Sequence, residues 1–74
     1  MYRQHIEEYT KLGLNISYYR KLKKMSQLAL AEKVEISRTH MSRIENCDCP
    51  PSLDVVFSIA KALDIEVYKL FEFK

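Results

Sequence analysis

Residues 37–46 read Ser-Arg-Thr-His-Met-Ser-Arg-Ile-Glu-Asn. Wound as a helix at about 100° per residue from Ser37, Met41 and Ile44 fall near 40° and 340° and form a buried side. Thr39, Ser42 and Arg43 fall on the opposite side, near 200°, 140° and 240°. Arg38 and His40 stand on the two margins, and Ser37 and Glu45 flank the apolar pair. The outward face therefore offers guanidiniums, hydroxyls and an imidazole, with no carboxylate. Arginine pairs bidentately with guanine O6 and N7, and threonine contacts a thymine methyl or a phosphate. A passive solvated helix more often mixes Glu with Lys, so this face is suited to reading base edges.

The elements that must hold this face are short helices. Ser26 and Ser37 are good N-caps. Helix two is expected over 26–34, with Leu30, Ala31 and Val34 inward, and helix three over 38–46. About three residues around Glu35 join them, which is the layout of a helix-turn-helix. Helix one is expected over 4–24, because Ile6, Tyr9, Leu12, Ile16 and Tyr19 recur at three- and four-residue spacing. Gly13 marks either a break in it or a close helix contact. It ends in the basic run Arg20-Lys21-Leu22-Lys23-Lys24, where cations also suit the helix dipole. Two prolines fix the loop at 46–51. Ser52 then caps helix four, Leu53–Leu63, with Leu53, Val56, Ile59, Ala60 and Leu63 inward. A last helix over 66–71 brings in Val67, Leu70 and Phe71. Ser26 and Gln27 open helix two, where backbone N–H groups and the Gln27 amide are placed to hold a phosphate.

Size and composition agree with one small all-α domain. The chain has 74 residues, 47% of them hydrophobic, with one Gly and two Pro. That is too apolar for disorder and too short for a second core. No apolar run approaches the ~20 residues of a membrane span, and the charged N-terminus has no signal-peptide core. A cytoplasmic location is expected. Net charge is +2. Residues 1–45 carry nine Lys or Arg against five acids, and residues 46–74 carry three against five. The positive charge thus gathers on the half that holds the candidate face, as a polyanion partner requires.

Other chemistries find little support. Cys47 and Cys49, with His40, are the residue types of a soft-metal or redox site. They lack a second ligand pair at zinc-like spacing and read as ordinary loop thiols. His5 and His40 lie on separate elements. There is no Gly-rich phosphate loop and no paired carboxylate, so no enzyme, cofactor or metal is expected. Nothing in the sequence calls for a small-molecule effector.

The chain resembles the lambda repressor/Cro-like, or XRE-type, helix-turn-helix domain over residues 12–71. The resemblance is carried by Ile16 and Arg20, Ser26-Gln27, Leu30-Ala31-Glu32-Lys33-Val34, Ile36-Ser37-Arg38 and Ile44-Glu45-Asn46. It continues through Pro51-Ser52-Leu53, Ile59-Ala60-Lys61-Ala62-Leu63 and Leu70-Phe71. It implies a five-helix all-α DNA-binding domain and a transcriptional regulator, a repressor in the first instance. By position it implies base contacts from Ser37, Arg38, Thr39 and Arg43. It implies phosphate contacts from Gln27 and Asn46, to which Ser26, His40 and Ser42 are added from their place beside the face. It also implies an ion pair between Arg20 and Glu45. Residues 1–11 would then be an N-terminal arm or an extension of helix one, and 72–74 a tail. The resembled family often places Gly where this chain has Glu35, Cys47 and Asp64, so positive φ is expected near these points, with Asn46 a candidate for the one beside Cys47. Leu28 stands where a polar residue is usual.

One recognition helix covers few base pairs, so a homodimer on double-stranded DNA is expected. Apolar residues left over from the core lie near the termini: Tyr2, Ile6 and Tyr9 at one end, Tyr68, Phe71 and Phe73 at the other. The C-terminal set is preferred because it lies away from the basic half. The alternative is a protein-interaction module, an antitoxin or accessory subunit, using Leu28, Tyr2, Tyr68 and Phe73.

Overall fold

A computed structural model of the chain describes residues 2–73, with side chains from Gln4 onward. The Tyr2 side chain and Lys74 therefore lie outside the described residues. The described chain is all helical. A short 3-10 segment, Tyr2–His5, leads into α1 (Ile6–Leu22), followed by α2 (Gln27–Lys33), α3 (Arg38–Glu45) and α4 (Leu53–Leu63). A second 3-10 segment, Val67–Phe71, comes last. The architecture is thus four α-helices with 3-10 segments, which corrects the expectation of five. The last element is only five residues long and is closed by i→i+3 bonds, Lys69 N to Glu66 O at 3.0 Å and Glu72 N to Lys69 O at 3.4 Å. So short a run gains little from α nucleation, and the tighter winding satisfies its ends sooner.

Each N-terminus of α2, α3 and α4 is closed by a serine. Ser26, Ser37 and Ser52 accept hydrogen bonds from the backbone N–H of Ala29 (3.0 Å), His40 (2.9 Å) and Val55 (3.2 Å). Each such cap contributes about 1 kcal/mol. The C-termini repeat one device as well. After α1, α2, α3 and α4, the residues Lys24, Glu35, Cys47 and Asp64 take φ of 60°, 62°, 65° and 58°. The amide of the residue after each bonds back into the helix: Met25 N to Arg20 O, Ile36 N to Ala31 O, Asp48 N to Arg43 O and Ile65 N to Ala60 O, at 2.8–3.0 Å. These are left-handed C-caps built without glycine. The left-handed position beside α3 is Cys47 itself; Asn46 has φ of −93°.

The chain's single glycine is used elsewhere. Gly13 does not break α1. A Cβ there would sit 2.7 Å from the Glu45 carbonyl oxygen and 2.8 Å from that of Ile44. Only a residue without a side chain lets α1 cross the end of α3 this closely.

The core is Leu12, Ile16, Leu30, Ala31, Met41, Ile44, Val56, Ile59, Ala60, Leu63 and Leu70. Every α-helix contributes, and burying each Leu or Ile is worth about 1.5–3 kcal/mol. Val34 and Val67 are half-buried at its edge. Three residues assigned inward from the sequence face solvent instead. Leu53 is 65% exposed, because it lies about 70° from the centre of the arc made by Val56, Ile59, Ala60 and Leu63. Ile6 and Phe71 are 49% and 43% exposed, each at the end of its element.

Candidate nucleic-acid interface

The outer face of α3 forms from the register that its core side dictates. Met41 and Ile44 are fully buried, and this turns Arg38, Thr39 and Arg43 outward into solvent. His40 and Ser42 are half-buried on the flanks. Ser37 is exposed; its oxygen accepts the cap bond from His40 N–H, and its hydroxyl proton is left to donate outward. Asn46 is exposed at the helix end and donates from Nδ2 to Ser42 Oγ at 3.3 Å. The acid of α3, Glu45, is turned inward and buried. The face therefore presents two guanidiniums, hydroxyls, an imidazole and an amide, with no carboxylate from α3 among them.

An internal polar network fixes α3 against the two helices before it. Arg20 Nε donates to Glu45 Oε2 at 2.7 Å, and Nη2 donates to Oε1 at 3.1 Å. This bidentate pair is buried on both sides. Arg20 Nη1 donates to the Met25 carbonyl at 2.8 Å, which ties down the connection from α1 to α2. Gln27 Nε2 donates to Glu45 Oε1 at 3.0 Å. One carboxylate thus joins the end of α1, the start of α2 and the end of α3. Removing either charge would leave the other buried and unpaired, at a cost of about 3–5 kcal/mol.

The network also defines what Gln27 has left to offer. Its Nε2 is held on Glu45, which orients the side chain at the start of α2 beside the end of α3. A ligand there would meet the amide oxygen's neighbour, the second N–H, and the free backbone N–H groups of the first turn. Ser26 is exposed at the same place, with its oxygen on the Ala29 amide. Neither the bond from Gln27 to Glu45 nor that from Arg20 to Met25 was read from the sequence. The only signal was the polar type of Gln27 at the first position of a helix.

The remaining reactive groups do not converge. Cys49 Sγ lies 3.8 Å from His40 Nε2, whereas Cys47 Sγ accepts a hydrogen bond from Thr10 Oγ1 at 3.3 Å and faces the Ile6 carbonyl. Among the described residues no group of three or more His, Cys, Asp or Glu is placed to hold a metal. His5 is exposed in the first 3-10 segment, on a different element from His40. No helix among the described residues is long and apolar enough to cross a membrane. Leu28 is half exposed on α2.

Comparison with known proteins places this geometry. The helix-turn-helix family model HTH_3 matches residues 16–70, which spans the C-terminal part of α1 and all of α2, α3 and α4. The immunity repressor protein of Bacillus phage phi105 is 39% identical over 56 residues, covering 76% of this chain and 39% of the repressor. The chain thus spans about two fifths of the length of that relative. Among solved structures, the restriction-modification controller protein C.AhdI from Aeromonas hydrophila superposes with a TM-score of 0.87 at 31% identity. The match covers 90% of this chain and 97% of the controller. The P22 c2 repressor, solved in complex with a synthetic operator, superposes with a TM-score of 0.75 at 28% identity, over 82% of this chain and 92% of that one. With the family model over most of its length and the fold of these proteins, the chain belongs to the helix-turn-helix family.

Proposed function

We propose that the chain is a sequence-specific DNA-binding transcriptional regulator, a repressor, that lays α3 in the major groove and acts by occluding its site. The observation that carries this is the outer face of α3, where Arg38, Thr39 and Arg43 are exposed and the helix's acid is turned inward. Arg38, Thr39 and Arg43, with Ser37, take the base edges. Ser26, Gln27, His40, Ser42 and Asn46 take the flanking phosphates, the first two through the open start of α2. No step in this reading needs a cofactor or catalysis.

The protein acts as a homodimer on a two-fold site, with two copies of α3 about 34 Å apart. Tyr68 and Phe71 are exposed and available for a second copy, and Phe73 is half-buried beside Phe71 with ring centres 6.3 Å apart. Leu53 and Phe57 on α4 are exposed as well and extend the apolar surface of the C-terminal half. Selection of bound duplexes from a random pool tests the proposal. A recovered site with two-fold symmetry, bound with an affinity that falls steeply with salt, is the expected result. Recovery of no preferred sequence would overturn it.

A further inference from the structure

The outer face of α1 carries a ridge that neither the fold nor the DNA reading uses. Leu14, Tyr18 and Leu22 follow one another at four-residue spacing and are 61%, 59% and 58% exposed. Three large apolar side chains in one row on a small monomer are more than chance exposure requires. The Tyr18 ring is held by an edge-to-face contact with Tyr19, with centroids 5.0 Å apart at 81°. Beside the ridge runs a shallow cleft of about 440 Å³, walled by Lys11, Leu14, Tyr18, Lys69 and Phe73. Asn15 holds its far wall in place by donating from Nδ2 to the carbonyls of Leu70 and Glu72, at 2.9 and 3.3 Å. The cleft is therefore a fixed feature of the packing of α1 on the last 3-10 segment.

Charge selects among the possible occupants. Lys11 and Lys69 stand in the cleft wall, Lys21 flanks the ridge on the same face of α1, and Lys23 and Lys24 follow directly. The acids nearby are Glu72 at the cleft margin and Glu7 at the N-terminal end of the face. A second copy packed ridge to ridge would bring two lysine rims together. DNA has no use for a row of leucines. The ridge also lies about 150° around α1 from Gly13 and Arg20, the residues that face α3. We infer that this face docks an acidic amphipathic helix of another protein, with its apolar stripe on Leu14, Tyr18 and Leu22 and its carboxylates on Lys11, Lys21 and Lys69. Because the ridge points away from α3, such a partner would ride on the regulator without displacing DNA.

The test uses the full chain and a synthetic amphipathic helix bearing a leucine stripe edged with glutamates, beside a twin edged with lysines. The acidic peptide should bind, and the basic twin should not. Amide shifts of the isotope-labelled protein should centre on α1 around residues 11–22 and on Lys69. Leu14→Ser with Tyr18→Ser should weaken binding about tenfold or more, as loss of buried anchors does, while leaving DNA affinity unchanged. Both side chains are more than half exposed, so the variant keeps its core, and the wild-type shift map stands without it. Shifts centred on α3 would mean that the peptide merely mimics DNA, and would overturn the inference. So would equal binding of both peptides, no binding of either, or a wild-type dimer that Leu14→Ser with Tyr18→Ser converts to monomer in sedimentation.

Discussion

At the residue scale, the fold of the reading head depends on single atoms rather than on surface area. Glu45 accepts from Arg20 Nε and Nη2 and from Gln27 Nε2, so three helices meet at one carboxylate. Arg20→Ala should lower stability by about 3–5 kcal/mol in chemical denaturation, because Glu45 would remain buried and unpaired. Unchanged unfolding would show that the pair is not coupled to the fold. Gly13 is the second such point. Alanine is favoured over glycine in a helix by about 1 kcal/mol, so propensity alone predicts that Gly13→Ala stabilises. The backbone carbonyls of Ile44 and Glu45 stand within 2.8 Å of the added methyl, and backbone cannot retreat as a flexible side chain can. We expect the opposite sign, a loss of about 1–3 kcal/mol from overpacking, readable as a fall in melting temperature. The role of Gly13 was half legible in the sequence. Glycine inside an apolar period announced either a break or a close contact, and only the crossing of α1 over α3 decides between them.

At the element scale, starts and stops were unequally legible. Serine before an apolar period is a local signal, and Ser26, Ser37 and Ser52 all cap as their positions suggest. The helix ends were harder, because the usual mark, glycine, is missing. Glu35, Cys47 and Asp64 stand out only against the glycines usual in the resembled family, and Lys24 carries no mark at all within its basic run. Yet all four adopt the left-handed conformation, which costs a non-glycine residue about 1–2 kcal/mol. Replacing them should therefore stabilise. Glu35→Gly and Cys47→Gly should each raise stability by up to ~1 kcal/mol, the unfolded chain's extra freedom offsetting part of the relief. For a domain of this size that is about 4–8 °C in melting temperature. Asp64→Gly should gain less, since aspartate tolerates this region better. A drop in melting temperature for Glu35→Gly would contradict the assignment of strain. The 3-10 winding of Val67–Phe71 was illegible for another reason. Apolar residues at three- and four-residue spacing fit either helix type over so short a run, and length, not pattern, decides.

At the scale of the whole molecule, the basic half serves more than one face: Arg38 and Arg43 lie on α3, whereas Lys11 and Lys21 flank the exposed ridge of α1. The outward face of α3 was legible because burial of Met41 and Ile44 fixes its rotation, and the angle of every other residue follows. The ridge on α1 was not, because Leu14 and Tyr18 lie between members of the inward stripe and Leu22 lies beyond its last, Tyr19, so none of the three belongs to its period. Homodimer formation belongs to this scale as well. Light scattering at micromolar concentration should give a dimer, alone or on DNA, and Tyr68→Glu with Phe71→Ser should shift it to monomer while each α3 keeps its fold. A wild-type monomer on a single half-site would contradict the two-fold arrangement. The central claim is that α3 reads bases, and its most direct test is the affinity of Arg43→Ala for the duplex selected by the wild-type protein, measured against salt and against single base-pair changes. A loss of about 1–3 kcal/mol, with preference relaxed at one or two base pairs, is the predicted result. Affinity and preference both unchanged would contradict it.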